Sequence, residues 1–128
     1  MSYIYSVRIL INHPFLRVEE ITENMGVEPN FSWNFNDEGK IETMWSLVTW
    51  TERERSFFRE IGMVVNWLEE RSTFIKEINA RGGSLMLIVQ LSGKENIGDE
   101  LSLKTMIRVA ELGASIGVEV FPNLQRHD

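Results

Sequence analysis

The sequence predicts an α+β two-layer sandwich: a mixed, mainly antiparallel sheet with helices packed on one face, ferredoxin-like in its first six elements and extended by an added α-β unit. Three observations predict it. Runs with a period of two, the mark of strands, open the chain and recur at residues 31–35, 42–50, 84–92 and 114–121. Apolar stripes at helical spacing lie between them, at residues 16–25, 52–80 and 102–112. The resulting order is β-α-β-β-α-β-α-β. The length of 128 residues suits one ordinary domain over residues 1–128, with no linker, repeat or low-complexity tract to divide it.

Residues 3–12 read as the central strand. Tyr3, Tyr5, Val7, Ile9 and Ile11 form a fully apolar face, and Ile4, Ser6, Arg8, Leu10 and Asn12 a mixed one. Helices should cover the first face and leave the second half open. Asn12-His13-Pro14 ends the strand, because proline cannot donate to the ladder. Residues 16–25 read as a short helix with Val18, Ile21 and Met25 inward, closed by Gly26 in a left-handed cap and by an extended exit at Glu28-Pro29. Phe31, Trp33 and Phe35 then alternate with Ser32, Asn34 and Asn36. The turn signal Asn36-Asp37-Glu38-Gly39 leads into a strand over 42–50, and the two segments are expected to pair as a hairpin.

Residues 52–80 read as helical, along a stripe of Phe57, Phe58, Ile61, Val64, Val65 and Leu68 that Ile75 and Ile78 continue. The segment is either one long helix or two, broken near Arg71 to Thr73, where Ser72-Thr73 offers an N-cap. Residues 84–92 form a second buried strand after Gly82-Gly83, and residues 93–100 a polar loop. A helix over 102–112 follows, with Ser102 as N-cap and Leu103, Met106, Ile107 and Ala110 expected to face inward. Gly113 caps it, and residues 114–121 form the last strand, with Ile116, Val118 and Val120 on one face.

Composition narrows the function classes. The net charge is -6, which argues against nucleic acid, whose binders carry a basic face to neutralise phosphates. An acidic surface suits solubility, and it also suits a basic partner. The chain has no cysteine, so disulfides, thiolate metal sites and cysteine nucleophiles are out. The N-terminus carries no basic region followed by a small-residue cleavage site, and no apolar run reaches the ~20 residues needed to span a bilayer. The expectation is a cytoplasmic chain with no membrane partner. His13 and His127 have no second histidine at helical ligand spacing, so no metal is expected, and His13 reads as a solvated loop residue. Nucleophile-elbow, phosphate-loop, dinucleotide and zinc-protease motifs are all missing from the sequence. No catalytic residue and no cofactor is therefore assigned. Arg53, Arg55 and Arg59 alternate with Glu52, Glu54 and Glu60 and read as a mixed salt-bridge surface.

Several short signals fall in one order. Met25-Gly26-Val27-Glu28-Pro29 follows the first helix, Trp45-Ser46-Leu47 opens a strand, and Leu101-Ser102-Leu103 precedes a helix ending Ala110-Glu111-Leu112-Gly113-Ala114-Ser115. Gly117-Val118-Glu119-Val120-Phe121 closes the series. Over nearly the whole chain this resembles the bacterial domain of unknown function 4279 family. Where that family has a basic or glycine-rich stretch after the proline, this chain carries the neutral, aromatic segment Phe31 to Asn36. The resemblance implies a fold and a bacterial origin, and it implies no assigned activity.

The function expected from these residues is a non-catalytic protein-binding module. Its most concrete form is an immunity-type inhibitor that neutralises a basic bacterial toxin domain by direct binding. The candidate contacts are Phe31, Trp33 and Phe35, with the acidic residues Asp37 and Glu38 beside them and Asp99 and Glu100 as a second acidic loop. The aromatics are either partner anchors or a cover for the open side of the sheet. Two alternatives stand beside this reading. One is a small-ligand-binding or enzymatic domain with a cleft between the sheet and the aromatic loop. The other is a self-associating domain, a homodimer paired through an edge strand near Phe31 to Phe35.

Overall fold

The structure, a computed structural model, describes residues 5–49, 57–92 and 98–121. In chain order its elements are β1 (Tyr5–His13), α1 (Val18–Met25), β2 (Phe31–Trp33), β3 (Thr43–Thr49), α2 (Phe57–Glu69), α3 (Ser72–Ala80), β4 (Ser84–Ser92), α4 (Leu103–Glu111) and β5 (Ala114–Phe121). The strands form one sheet in the order β2-β3-β1-β4-β5, with β1 in the middle.

The strict alternation in β1 sets the register. Its odd-numbered residues are all buried and its even-numbered ones half-buried. Ile9 lies opposite Leu47 on β3 and Leu87 on β4, and Ile11 lies opposite Trp45 and Leu85. Leu87 in turn lies opposite Ile116 on β5. These residues share one face, and the four helices cover it with Ile21 and Met25, Ile61 and Leu68, Ile75 and Ile78, and Val109. A slip of one residue would put Arg8 and Asn12 into that core, which fixes the pairing. β1 is antiparallel to both neighbours, β2 is antiparallel to β3, and only β4 and β5 run parallel. The ferredoxin-like core with an added α-β unit is thus the fold observed.

Gly26 closes α1 with a φ of 77°, the left-handed conformation that a side chain disfavours. Trp45 is fully buried, and its Nε1–H donates to Thr22 Oγ1 at 3.0 Å, fastening α1 to β3. The helical segment is two helices. Arg71 sits at the break, with Nε donating to Met25 O at 2.7 Å, Nη1 donating to Trp67 O at 2.9 Å and the guanidinium lying over the Trp67 ring. Arg71, and neither Ser72 nor Thr73, is the N-cap residue of α3, without a side-chain cap bond. Ser102 does cap α4, its Oγ accepting from Thr105 N at 3.1 Å.

Two elements differ from their reading in the sequence. β2 stops at Trp33 and does not run on to Phe35. Asn34 leaves the strand because its backbone N–H donates to Asp37 Oδ2 at 2.8 Å and its Oδ1 accepts from Val18 N at 2.8 Å. Local side-chain bonds of this kind compete with the ladder. The helix α4 is turned the other way from expectation. Val109 and Leu112 are buried, while Leu103, Met106 and Ile107 are 69%, 44% and 50% exposed. Polar contacts fix this rotation. Arg108 bonds Glu69 and Asn66 of α2, and Asn79 Nδ2 donates to Leu112 O at 3.0 Å. The readings for Tyr3, Ile4 and Trp50, for residues 51–56 and 93–97, and for the tail after Phe121 lie outside the described residues.

Candidate functional site

The aromatic and acidic residues singled out in the sequence fall into two groups. The first is the β2 edge of the sheet. Phe31 is 60% exposed, and its ring meets Trp33 edge to face with centroids 5.8 Å apart. Trp33 is half-buried; Lys40 Nζ lies 3.8 Å from its ring centroid, and its Nε1–H donates to Glu42 O at 3.0 Å. Phe35 is half-buried, and its backbone N–H donates to Thr43 Oγ1 at 3.0 Å. Asp37 caps the turn through Asn34, and Glu38 is exposed beside it. These five residues lie together at one corner. Beside Phe31 on the neighbouring strand lies Ser46, its cross-strand partner, whose buried Oγ has no hydrogen bond among the described residues.

Asp99 and Glu100 form the second group, and the structure does not bring them to the first. Asp99 Oδ2 accepts from Phe58 N at 2.9 Å in the first turn of α2, where a carboxylate suits the helix dipole. That end of α2 packs at the Tyr5 end of β1, with the Tyr5 and Phe57 rings 6.0 Å apart. The turn with Asp37 and Glu38 lies at the other end of β1, since Thr43 pairs with His13. The length of β1 alone puts about 26 Å between the two ends.

His13 is not a solvated loop residue. It is fully buried at the end of β1, and Nδ1 accepts from Phe15 N at 3.2 Å and from Leu16 N at 3.0 Å. Nε2 is buried without a hydrogen bond among the described residues. Burial, and next the charge of Arg81, lower its pKa below the ordinary value, so the ring stays neutral and turns the chain into α1. Only glycine fits opposite it: a Cβ on Gly83 would lie 2.5 Å from His13 Cδ2 and 2.8 Å from Asn12 O. Among the described residues no three acidic or histidine side chains are placed to hold a metal ion, and no helix is long and apolar enough to cross a membrane.

A third feature went unseen in the sequence. Between α2 and the β1–β3 part of the sheet is a groove of about 340 Å³. Ile9, Leu47, Met63, Val64 and Trp67 line its apolar walls, and Gly26 and Val27 contribute from the α1–β2 connection. Its polar groups are Thr49, Glu60 and Arg71. Thr49 Oγ1 is spent on Val7 O at 2.9 Å, and Arg71 is held as described above. Glu60 is only 7% exposed, and its carboxylate has no hydrogen bond or ion pair among the described residues. It belongs to the buried face of α2 and not to a salt-bridge surface. The sequence held a signal for this, because Glu60 falls three residues after Phe57 and four before Val64, inside the apolar stripe.

The sequence model of one family, described as Domain of unknown function (DUF4279), matches residues 3–122. No curated protein and no solved structure matches the chain.

Proposed function

The chain belongs to the DUF4279 family, and we propose that it is a non-catalytic protein-binding module, most concretely an immunity-type inhibitor that masks a basic bacterial toxin domain. The observation that carries the reading is the β2 corner: an exposed phenylalanine against a half-buried tryptophan, flanked by Asp37 and Glu38. Aromatic anchors with one face fixed by their own chain lose little entropy on binding and dominate interface energies. The net charge of -6 would draw in a basic partner and speed encounter. The experiment is a direct binding titration against the product of the adjacent gene. Phe31→Ala is expected to weaken the complex about tenfold or more. Glu38→Lys is expected to slow association while leaving dissociation nearly unchanged. Unchanged affinity in Phe31→Ala would remove this corner from the interface.

A second reading, self-association, is favoured by a different surface from the one expected. The edge at β2 is three residues long, whereas the edge at β5 has eight. Val118 and Val120 on β5 are each 54% exposed, and α4, the crossover between parallel strands, runs back beside them with its apolar stripe outward. Two copies joined by β5 across a two-fold axis would bury both. Sedimentation of the wild type at rising concentration should then show a dimer, and Ile107→Asp a monomer. A wild type that stays monomeric throughout contradicts this reading.

A further inference from the structure

We propose that the groove between α2 and the sheet is a binding site for a small organic cation, an amine carried on an apolar body, with its ammonium paired to Glu60. The site uses none of the residues of the β2 corner or of the α4–β5 face, so it stands apart from the partner-binding reading.

Three observations carry it. First, the volume of about 340 Å³ is at the low end of small-molecule sites and is walled mainly by aliphatic and aromatic side chains. Second, Glu60 brings a carboxylate to those walls at 7% exposure with no partner among the described residues. The carboxylate oxygens keep contact with solvent in the groove, so an ammonium entering it can reach them and form a charge-assisted hydrogen bond beside the apolar walls. Third, the groove's two ends differ in charge. Glu60, Val64 and Trp67 follow one another at spacings of four and three along one face of α2, and Arg71 closes the row. The Arg71 guanidinium lies 3.8 Å over the Trp67 ring and is anchored to two backbone carbonyls, so its positive charge is fixed there. A ligand with a cation at both ends would meet repulsion at Arg71. A ligand with one ammonium and an apolar or acceptor-bearing tail fits both ends.

The groove thus selects by charge at one end and by shape along its length. An ammonium at Glu60 forms a charge-assisted hydrogen bond in a site of low polarity, where it is stronger than its neutral counterpart. An isosteric alcohol would bury the same apolar area without that bond, and an isosteric carboxylate would meet like charge.

Calorimetric titration of the whole chain with 4-phenylbutylamine, 4-phenylbutanol and 4-phenylbutyrate tests this. The amine is expected to bind at least about tenfold more tightly than the alcohol, the difference between a charged and a neutral hydrogen bond, and the carboxylate most weakly. Spermidine, with cations at both ends, should not displace the amine. Glu60→Gln, which keeps the side-chain shape, should bring amine and alcohol to equal affinity. Equal binding of amine and alcohol by the wild type overturns the proposal, as does absence of amine binding or an amine preference that survives in Glu60→Gln. Should the variant fail to fold, the three-probe comparison on the wild type still decides, with the Trp67 indole N–H resonance reporting whether the amine occupies this groove.

Discussion

His13 shows how a single residue can carry structural weight that its neighbours in sequence do not announce. Beside Pro14 at a strand end, it has the look of a surface residue. In the fold, its neutral ring accepts two backbone N–H groups and is sealed by a glycine that leaves room for no side chain. Burial lowers its pKa below the ordinary histidine value. The unfolded chain, with a histidine pKa of about 6.5, therefore takes up a proton that the folded chain refuses. Stability should hold above that pH and fall as the pH drops from about 6.5 toward the lowered folded value. Thermal melts between pH 7.5 and 5 check this, and in His13→Gln that part of the slope should vanish. A wild-type melting temperature flat across this range would contradict a neutral, buried ring. Glu60 is the opposite case: its place in the apolar stripe was readable, but the alternating charges before it suggested a solvated face.

At the scale of elements, the period-two segments were the most legible. β1, β3, β4 and β5 lie where alternation placed them, because each buries one face and a shift of one residue would invert it. The helix break at Arg71 was one of two options in the sequence, and the contact that holds Arg71 there, with Met25 46 residues away, lies outside any local pattern. The rotation of α4 was not legible at all. Its most apolar stripe, Leu103, Met106, Ile107 and Ala110, is the one a sequence-based argument turns inward. Arg108, Asn79 and their partners on other elements turn it outward. Paired variants test this. At a concentration where the chain is monomeric, Ile107→Asp should change stability by no more than about 0.5 kcal/mol, as an exposed substitution does. Val109→Ala, which empties a buried position, should cost about 2 kcal/mol. Denaturant melts that rank the two in the reverse order would contradict the observed rotation.

The whole molecule is a half-covered sheet with helices on one side, an aromatic and acidic corner at one edge and an apolar strand-and-helix face at the other. The candidate corner was legible in part. Phe31, Trp33, Phe35, Asp37 and Glu38 do come together, because a short hairpin joins them. Asp99 and Glu100 do not, because only the tertiary fold decides which end of the sheet a loop occupies. The role of Asp99 in capping α2 from 41 residues away is of the same kind. Holding a basic protein is the role proposed for this acidic chain. The binding titration against the adjacent gene's product, repeated at rising salt, puts that role to the test. It should show a tight complex whose association slows steeply as salt rises, and whose affinity drops about tenfold or more in Phe31→Ala. A titration that shows no complex at any salt concentration would contradict it.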